Sequence, residues 1–190
     1  MPELMNEIQE RRAKRALSEQ KISDEVIERL MTAATFAPSC FNNQSWRFLV
    51  ATNDDALTKM HAALAGANYW AKRAPMILAV VTKPDLDCRL SDRRDYAFFD
   101  CGLAVESMIL QAMKEGIIAH PMAGFDPLKV KEEFQIADEY IVIALVALGY
   151  PSEDDSFLNE KHLLAEQGPR DRKPASEVIC YNAWELEASE

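Results

Sequence analysis

Tyr96 to Glu115 reads as one long helix, rich in Ala, Leu and Met on almost every face. A helix apolar nearly all round is not a surface element, so the pattern predicts burial at the centre of a domain or of a dimer. Gly116 is the expected stop, and the rest of the chain must pack around this rod. Pro75 to Thr82 is a β-branched apolar run, the pattern of a strand covered on both faces. Tyr140 to Leu148 is a second and more apolar strand, closed by Gly149-Tyr150-Pro151. Trp46 to Ala51, Ile117 to Ala119 and Ser176 to Tyr181 carry weaker strand character. Helices are predicted over 3–17, over 24–37 with a Ser23 or Asp24 cap and a stop before Pro38, over 54–66 with its cap at Asn53-Asp54-Asp55, and from Asp126-Pro127 to about Phe134. Segments 84–95 and 152–174 read as polar and irregular, and 182–190 as a polar tail holding Trp184. The sum is a helix-strand mixture without regular βαβ alternation.

A chain of 190 residues is expected to form one domain, 1–190, with an extended C-terminal tail. No GxGxxG and no GxxxxGK[ST] occurs, so neither a dinucleotide fold nor a phosphate loop of those types is predicted. A formal net charge of -10 argues against a nucleic-acid or anionic-membrane surface. The apolar run from Tyr140 to Tyr150 is far shorter than the roughly 20 residues of a spanning helix. The N-terminal segment lacks the apolar core of a secretory signal, so a cytoplasmic setting is expected. Cys40, Cys88, Cys101 and Cys180 form no CxxC pair and only three histidines are present, so no zinc site is predicted. The four cysteines are expected as reduced packing residues rather than a disulfide framework.

Charge and amide groups gather in distant places. Arg11-Arg12-Ala13-Lys14-Arg15 puts Arg11 and Arg15 on one face of the predicted helix, where like charges repel unless a dianion relieves them. The plainer reading is a solvated basic face paired with Glu7, Glu10 or Glu19. Arg170 and Arg172 straddle Asp171 before Pro174 and in an extended segment point the same way, ready to clasp a phosphate or simply to decorate a polar tail. Pro38-Ser39-Cys40-Phe41-Asn42-Asn43-Gln44 presents hydroxyl and amide groups suited to a heterocycle, or forms an ordinary turn. Pro121 to Phe125 holds Gly124, which permits a turn that exposes N–H groups. Asp100 and Glu106, in the long helix, are either an acid pair or partnered carboxylates.

Taken in order, these clusters resemble the FMN-dependent nitroreductase family. The resemblance runs over nearly the whole chain, through the basic first motif, the Pro-Ser-x-x-Asn-x-Gln segment, Asp100-Cys101-Gly102, the 121–125 loop, Gly149-Tyr150-Pro151 and Arg-x-Arg-x-Pro. It implies an α+β fold, a small mainly antiparallel sheet surrounded by helices, in an intertwined homodimer with two FMN sites at the interface. It implies Arg11, Ala13, Arg170 and Arg172 at the phosphate, Arg15 near the N1/O2 edge of the flavin and Arg12 beside them. It implies Pro38, Ser39, Cys40, Asn42 and Gln44 from the other protomer, Ala123 and Gly124 as main-chain donors to N5 and O4, and Asn68 as a flavin-contacting amide. It implies NADH or NADPH as electron donor and a small acceptor such as a nitroaromatic or quinone. Ala13 replaces the family's usual serine, Gln44-Ser45-Trp46 its usual Gln-Pro-Trp, and Ala123 a residue often acidic; the short chain leaves Asp85–Asp95 as the candidate cover. Relatives of this fold also dehalogenate reductively or break down flavin, and a flavin-holding module without turnover, or a plain α/β protein without cofactor, are the rival readings.

Overall fold

The computed structural model describes residues 3–92, 94–184 and 186. Its sheet has four strands: β1 (Arg47–Ala51), β2 (Met76–Thr82), β3 (Ile118–Met122) and β4 (Ile141–Gly149), in the order β1-β2-β4-β3 with every pairing antiparallel. The helices are α1 (Asn6–Glu10), α2 (Asp24–Thr35), α3 (Asp54–Ala63), α4 (Ala97–Lys114), α5 (Pro127–Phe134) and α6 (Glu160–Gln167). This is the expected α+β class with a small antiparallel sheet. Among the described residues no helix is long and apolar enough to cross a membrane.

β2 shows why its sequence has no polar face: all seven residues are buried. Ile77, Ala79 and Val81 join Ala51, Met60, Trp70, Val130 and Leu145 in one core layer. Met76, Leu78 and Val80 join Leu30 and Ala34 of α2 and Cys101, Ala104 and Met108 of α4 in the other. Alternation along the strand thus serves two apolar layers instead of one core and one wet face. The long helix α4 buries seven of its side chains, including Ala104, Met108 and Ala112, while Phe98 and Phe99 at its start stay exposed. Gly116 adopts φ +72, and the chain turns there into β3.

The local caps fall where the sequence puts them. Ser23 accepts from Val26 N, Asn53 from Ala56 N, and Asp126 from Leu128 N and Lys129 N.

Three expectations fail. The helix predicted over 3–17 stops at Glu10; Arg11 is already extended, at φ -55 and ψ 128. Its main chain finds tertiary partners instead. Ser18 N donates to Tyr150 O, Ser152 N to Ala16 O, and Leu17 bridges Pro151. The helical-face argument for Arg11 and Arg15 goes with it. The irregular segment 152–174 contains α6, whose Asn159 cap accepts from His162 N. Ser176 to Tyr181 forms no strand: a 3₁₀ turn covers Ala175–Glu177, and Val178, Ile179 and Tyr181 remain exposed with no neighbouring strand in the described chain.

Candidate functional site

Two remote segments meet at the end of α1. The Arg170 guanidinium donates to Ile8 O at 3.2 Å, to Gln9 O at 2.8 Å and to Arg11 O, across a sequence separation of 159 in the last case. Arg12 Nη2 donates back to Gly168 O at 2.7 Å. Arg172 Nη1 donates to its neighbour, Asp171 O, at 2.6 Å. These bonds frame a cleft of about 200 Å³ lined by Arg11, Arg12, Ala13, Pro169, Arg170, Asp171 and Arg172. Four guanidiniums face one carboxylate there, so the cleft favours an anion. Arg170 is committed to main-chain carbonyls and holds the cleft together. The Arg11 guanidinium, half-buried, has no partner among the described residues and is the one most available to a ligand.

Behind the cleft the basic segment is fixed by residues that no motif announces. Glu166, on α6 and 8% exposed, accepts from Arg15 N at 2.7 Å and Ala16 N at 3.3 Å. His120 Nδ1 pairs with Lys14 O at 3.0 Å. Trp70 lies against His120 with ring centroids 4.4 Å apart, and the Arg15 guanidinium carbon lies 5.9 Å from the Trp70 ring. Burial pushes His120 down to about 4, with the Arg15 and His162 charges adding to it against the Lys14 carbonyl. The imidazole is therefore neutral at pH 7, and the tautomer that suits the Lys14 carbonyl carries its proton on Nδ1. Glu166→Gln keeps one acceptor but loses the charge that serves two N–H groups, and is expected to cost about 1–2 kcal/mol in urea unfolding. A loss indistinguishable from zero would mean that Glu166 does not hold the segment.

Of the expected 121–125 loop, Pro121 and Met122 belong to β3; the turn after it is fixed by Asn68, whose Nδ2 donates to Gly124 O at 2.8 Å, and Ala65 N donates to the same oxygen at 3.0 Å. A Cβ on Gly124 would stand 2.9 Å from Asn68 Nδ2 and 3.6 Å from Ala65 Cβ, so glycine is what lets the amide approach. Ala123 and Gly124 are exposed. Asn68 and Trp70 share the 3₁₀ segment Gly66–Arg73, and His120 lies on β3 just before the loop. The loop and the Arg15 segment therefore flank the same two elements.

The segment 38–45 lies elsewhere in the single chain. Ser39 Oγ accepts from Gln44 N at 3.1 Å, Gln44 Nε2 donates to Asn42 O at 3.2 Å, and Cys40 N donates to Asp100 Oδ2 at 2.8 Å. Phe41, Asn42 and Gln44 all have positive φ, at 47°, 59° and 50°. Such residues are sparsely populated conformations that persist only where the surroundings impose them. Pro38, Phe41, Asn42, Asn43 and Gln44 are exposed, and none of the segment's hydrogen bonds reaches the cationic cleft.

Asp100 proves to be a partnered carboxylate at the start of α4. Burial pushes its pKa up, against the Cys40 N–H bond, and the adjacent Asp87 raises it further. Burial also raises Asp87, but hydrogen bonds from Asn43, the Cys88 N–H, Asp100 and Ser45 outweigh it and hold Asp87 down. The two carboxylates are therefore pushed in opposite directions, Asp100 up and Asp87 down, and Asp100 Oδ1 is buried with no hydrogen-bond partner among the described residues. The packing role expected for all four cysteines is corrected here: Cys40 and Cys88 are joined as a disulfide, with Cα atoms 6.6 Å apart. Two segments 48 residues apart bring them together, a relation that no spacing rule reveals. Cys101 is buried, as expected of a packing thiol, and burial pushes it up to about 11.

A family model described as the nitroreductase family matches residues 8–68 and 58–150. A protein of Archaeoglobus fulgidus, whose name carries the terms NADH dehydrogenase and NAD(P)H nitroreductase, is 32% identical over 162 residues, covering 83% of this chain and 90% of that one. A solved structure described as an oxidoreductase containing FMN superposes with a TM-score of 0.86 at 27% identity, over 98% of this chain and 95% of that chain. A nitroreductase family protein from Clostridium difficile 630 superposes with a TM-score of 0.78 at 24% identity, over 94% and 97%, a likeness of fold.

Proposed function

The chain belongs to the nitroreductase family, and from that premise we propose that it is an FMN-dependent NAD(P)H oxidoreductase that reduces a small acceptor such as a nitroaromatic or a quinone. The observation that carries the reading is the cationic cleft, where Arg11, unpaired among the described residues, stands beside Arg12, Arg170 and Arg172. Guanidiniums match phosphate oxygens in bidentate geometry, so the donor set fits the FMN phosphate. FMN, when bound, would supply the hydride chemistry that links a reduced nicotinamide to the acceptor.

The chain's own residues would bind and orient. Arg11, Arg12 and Arg172 would neutralise the phosphate, with the Ala13 main chain beside them and Arg170 keeping the two segments in register. Arg15, held against Trp70, would keep a positive charge near the ring. Asn68 would fix the loop that offers the Ala123 and Gly124 N–H groups. Pro38, Ser39, Cys40, Asn42 and Gln44 would come from a second copy of the chain. Exposed apolar side chains support that pairing: Phe36 is 84% exposed, Phe41 90%, Tyr181 80% and Trp184 83%. Isolated exposed apolar residues are ordinary, but four bulky aromatics left this open invite a covering partner.

The test is size-exclusion of the full chain with FMN, read in the blue and at 280 nm. The flavin band is expected to travel with a species of twice 21.4 kDa. FMN should bind at least about tenfold more tightly than riboflavin, which lacks the phosphate, and Arg11→Ala should bring FMN down toward riboflavin, a difference of about 1.4 kcal/mol. Loaded wild type should consume NADH or NADPH when a nitroaromatic or quinone is added. Equal binding of FMN and riboflavin would remove the phosphate assignment, and bound FMN without turnover would leave a flavin-holding module.

A further inference from the structure

The Cys40–Cys88 pair lies in a setting built for reversible use. Cys40 belongs to the turn 38–45 and is tied by its N–H to Asp100 on α4. Cys88 belongs to the opposite segment, which follows the 3₁₀ turn Pro84–Leu86, and its N–H donates to Asp87 Oδ1 at 2.7 Å. A second, non-covalent link joins the same two segments. Asn43 Nδ2 donates to Asp87 Oδ1 at 3.1 Å, and Ser45 Oγ to Asp87 Oδ2 at 3.1 Å. Opening the sulfur bond therefore leaves two thiols held near each other, at high effective concentration, instead of releasing them. Both sulfur-bearing residues are half-buried, within reach of small reagents, whereas Cys101 is 1% exposed. Phe41, Asn42 and Gln44, three of the four residues after Cys40, have positive φ, so the turn is a conformation that its restraints must impose.

We propose that Cys40 and Cys88 are a reversible redox pair that pins segment 84–92 onto the turn 38–45, so that thiol oxidation sets the order of the candidate cover. One thiolate attacks hydrogen peroxide, breaking the O–O bond to give a sulfenic acid and hydroxide, which takes a proton from solvent to leave as water; the second thiol attacks that sulfur, closing the disulfide and releasing a second water. A dithiol reverses the step by exchange and leaves as its own disulfide. The bearing on the cofactor rests on the proposed function, because Cys40 lies in the segment assigned there to the partner's flavin; the thiol chemistry itself does not. A metal is the competing occupant, since the Cys40 and Cys88 sulfurs and an Asp87 oxygen lie within 4.8 Å of one another. That group offers three ligands among the described residues where a structural zinc takes four, and both Asp87 oxygens already accept hydrogen bonds.

The full chain is equilibrated with hydrogen peroxide or with dithiothreitol, alkylated, digested without reductant and weighed by mass spectrometry, and amide exchange is followed in parallel. Oxidation should join the peptides holding Cys40 and Cys88, and dithiothreitol should separate them. Reduction should speed exchange in 84–92 by about fivefold or more. Cys88→Ser should exchange at the fast rate under both conditions, which separates pinning from oxidation damage elsewhere. Free thiols at both positions after peroxide, one equivalent of zinc retained after dialysis, or exchange indifferent to the redox state would each overturn the proposal. A redox-dependent exchange in protein that binds no FMN would uphold the pair and sink the proposed function. FMN binding with both thiols free throughout would do the reverse.

Discussion

Trp70→Ala is expected to lower the unfolding free energy by about 3–5 kcal/mol, the range for deleting a large buried aromatic. Trp70 is 1% exposed and belongs to the core layer that also holds Met60, Ile77 and Leu145. Its ring also contacts both His120 and Arg15, so the loss reaches beyond a cavity. His120 loses the ring lying against it and Arg15 the face over which its charge rests. Trp70→Phe is expected to cost less, about 1–2 kcal/mol, because the indole N–H is buried with no partner among the described residues and its removal relieves an unsatisfied donor. Urea midpoints of the cofactor-free chain, at unchanged slope, would measure both. A loss below about 1 kcal/mol for alanine would show that the basic segment and β3 are not packed through this ring.

Acidification should unfold the chain through His120 before the carboxylates take over. Its folded pKa, pushed to about 4 by burial, lies below the ordinary 6.5. The unfolded chain then binds the proton more readily than the folded one. The stabilisation is full above about pH 6.5 and is lost as pH falls toward 4, to a limit of about 3 kcal/mol. His61 and His162 are lowered too, first by burial, and contribute in the same direction. Urea unfolding at pH 7, 6 and 5 should therefore show falling stability, and His120→Gln should flatten that slope. Wild type and variant with parallel slopes would mean that His120 takes up its proton without disturbing its contact to Lys14.

What the sequence discloses and what it hides divide along distance in the chain. Asp126-Pro127, Asn53 and Ser23 start helices through bonds to the next few N–H groups, so their positions were readable from a short window. β2 and β4 were readable because burial on both faces leaves no polar residue along most of their length. The basic segment beyond Glu10 was misread as helix because what extends it, Glu166, lies 151 residues away. Val178, Ile179 and Tyr181 have strand-forming side chains, yet with no strand beside them in the described chain that preference has nothing to act on. Arg11 and Arg172 line one cleft although 161 positions separate them, a relation that the order of the charged motifs suggests only through the family resemblance. That order gave no hint of Trp70, His120 or Glu166, which acquire their roles only through contacts across the fold. α6 did carry a signal, Asn159 as cap and Gly168-Pro169 as stop, in a stretch whose polarity hid it.

Arg170, by clamping the carbonyls of Ile8, Gln9 and Arg11, has a consequence for biosynthesis. The anion cleft has no intermediate form that a nascent chain could display. Its two walls lie more than 150 residues apart in the chain, and closing so long a loop awaits the folding of what lies between. A ribosome-bound fragment that ends before Gly168 holds all four strands of the sheet and still lacks one wall of the cleft proposed to take the phosphate. Cofactor capture would then be confined to chains translated past Arg172, and a shortened product would stay empty.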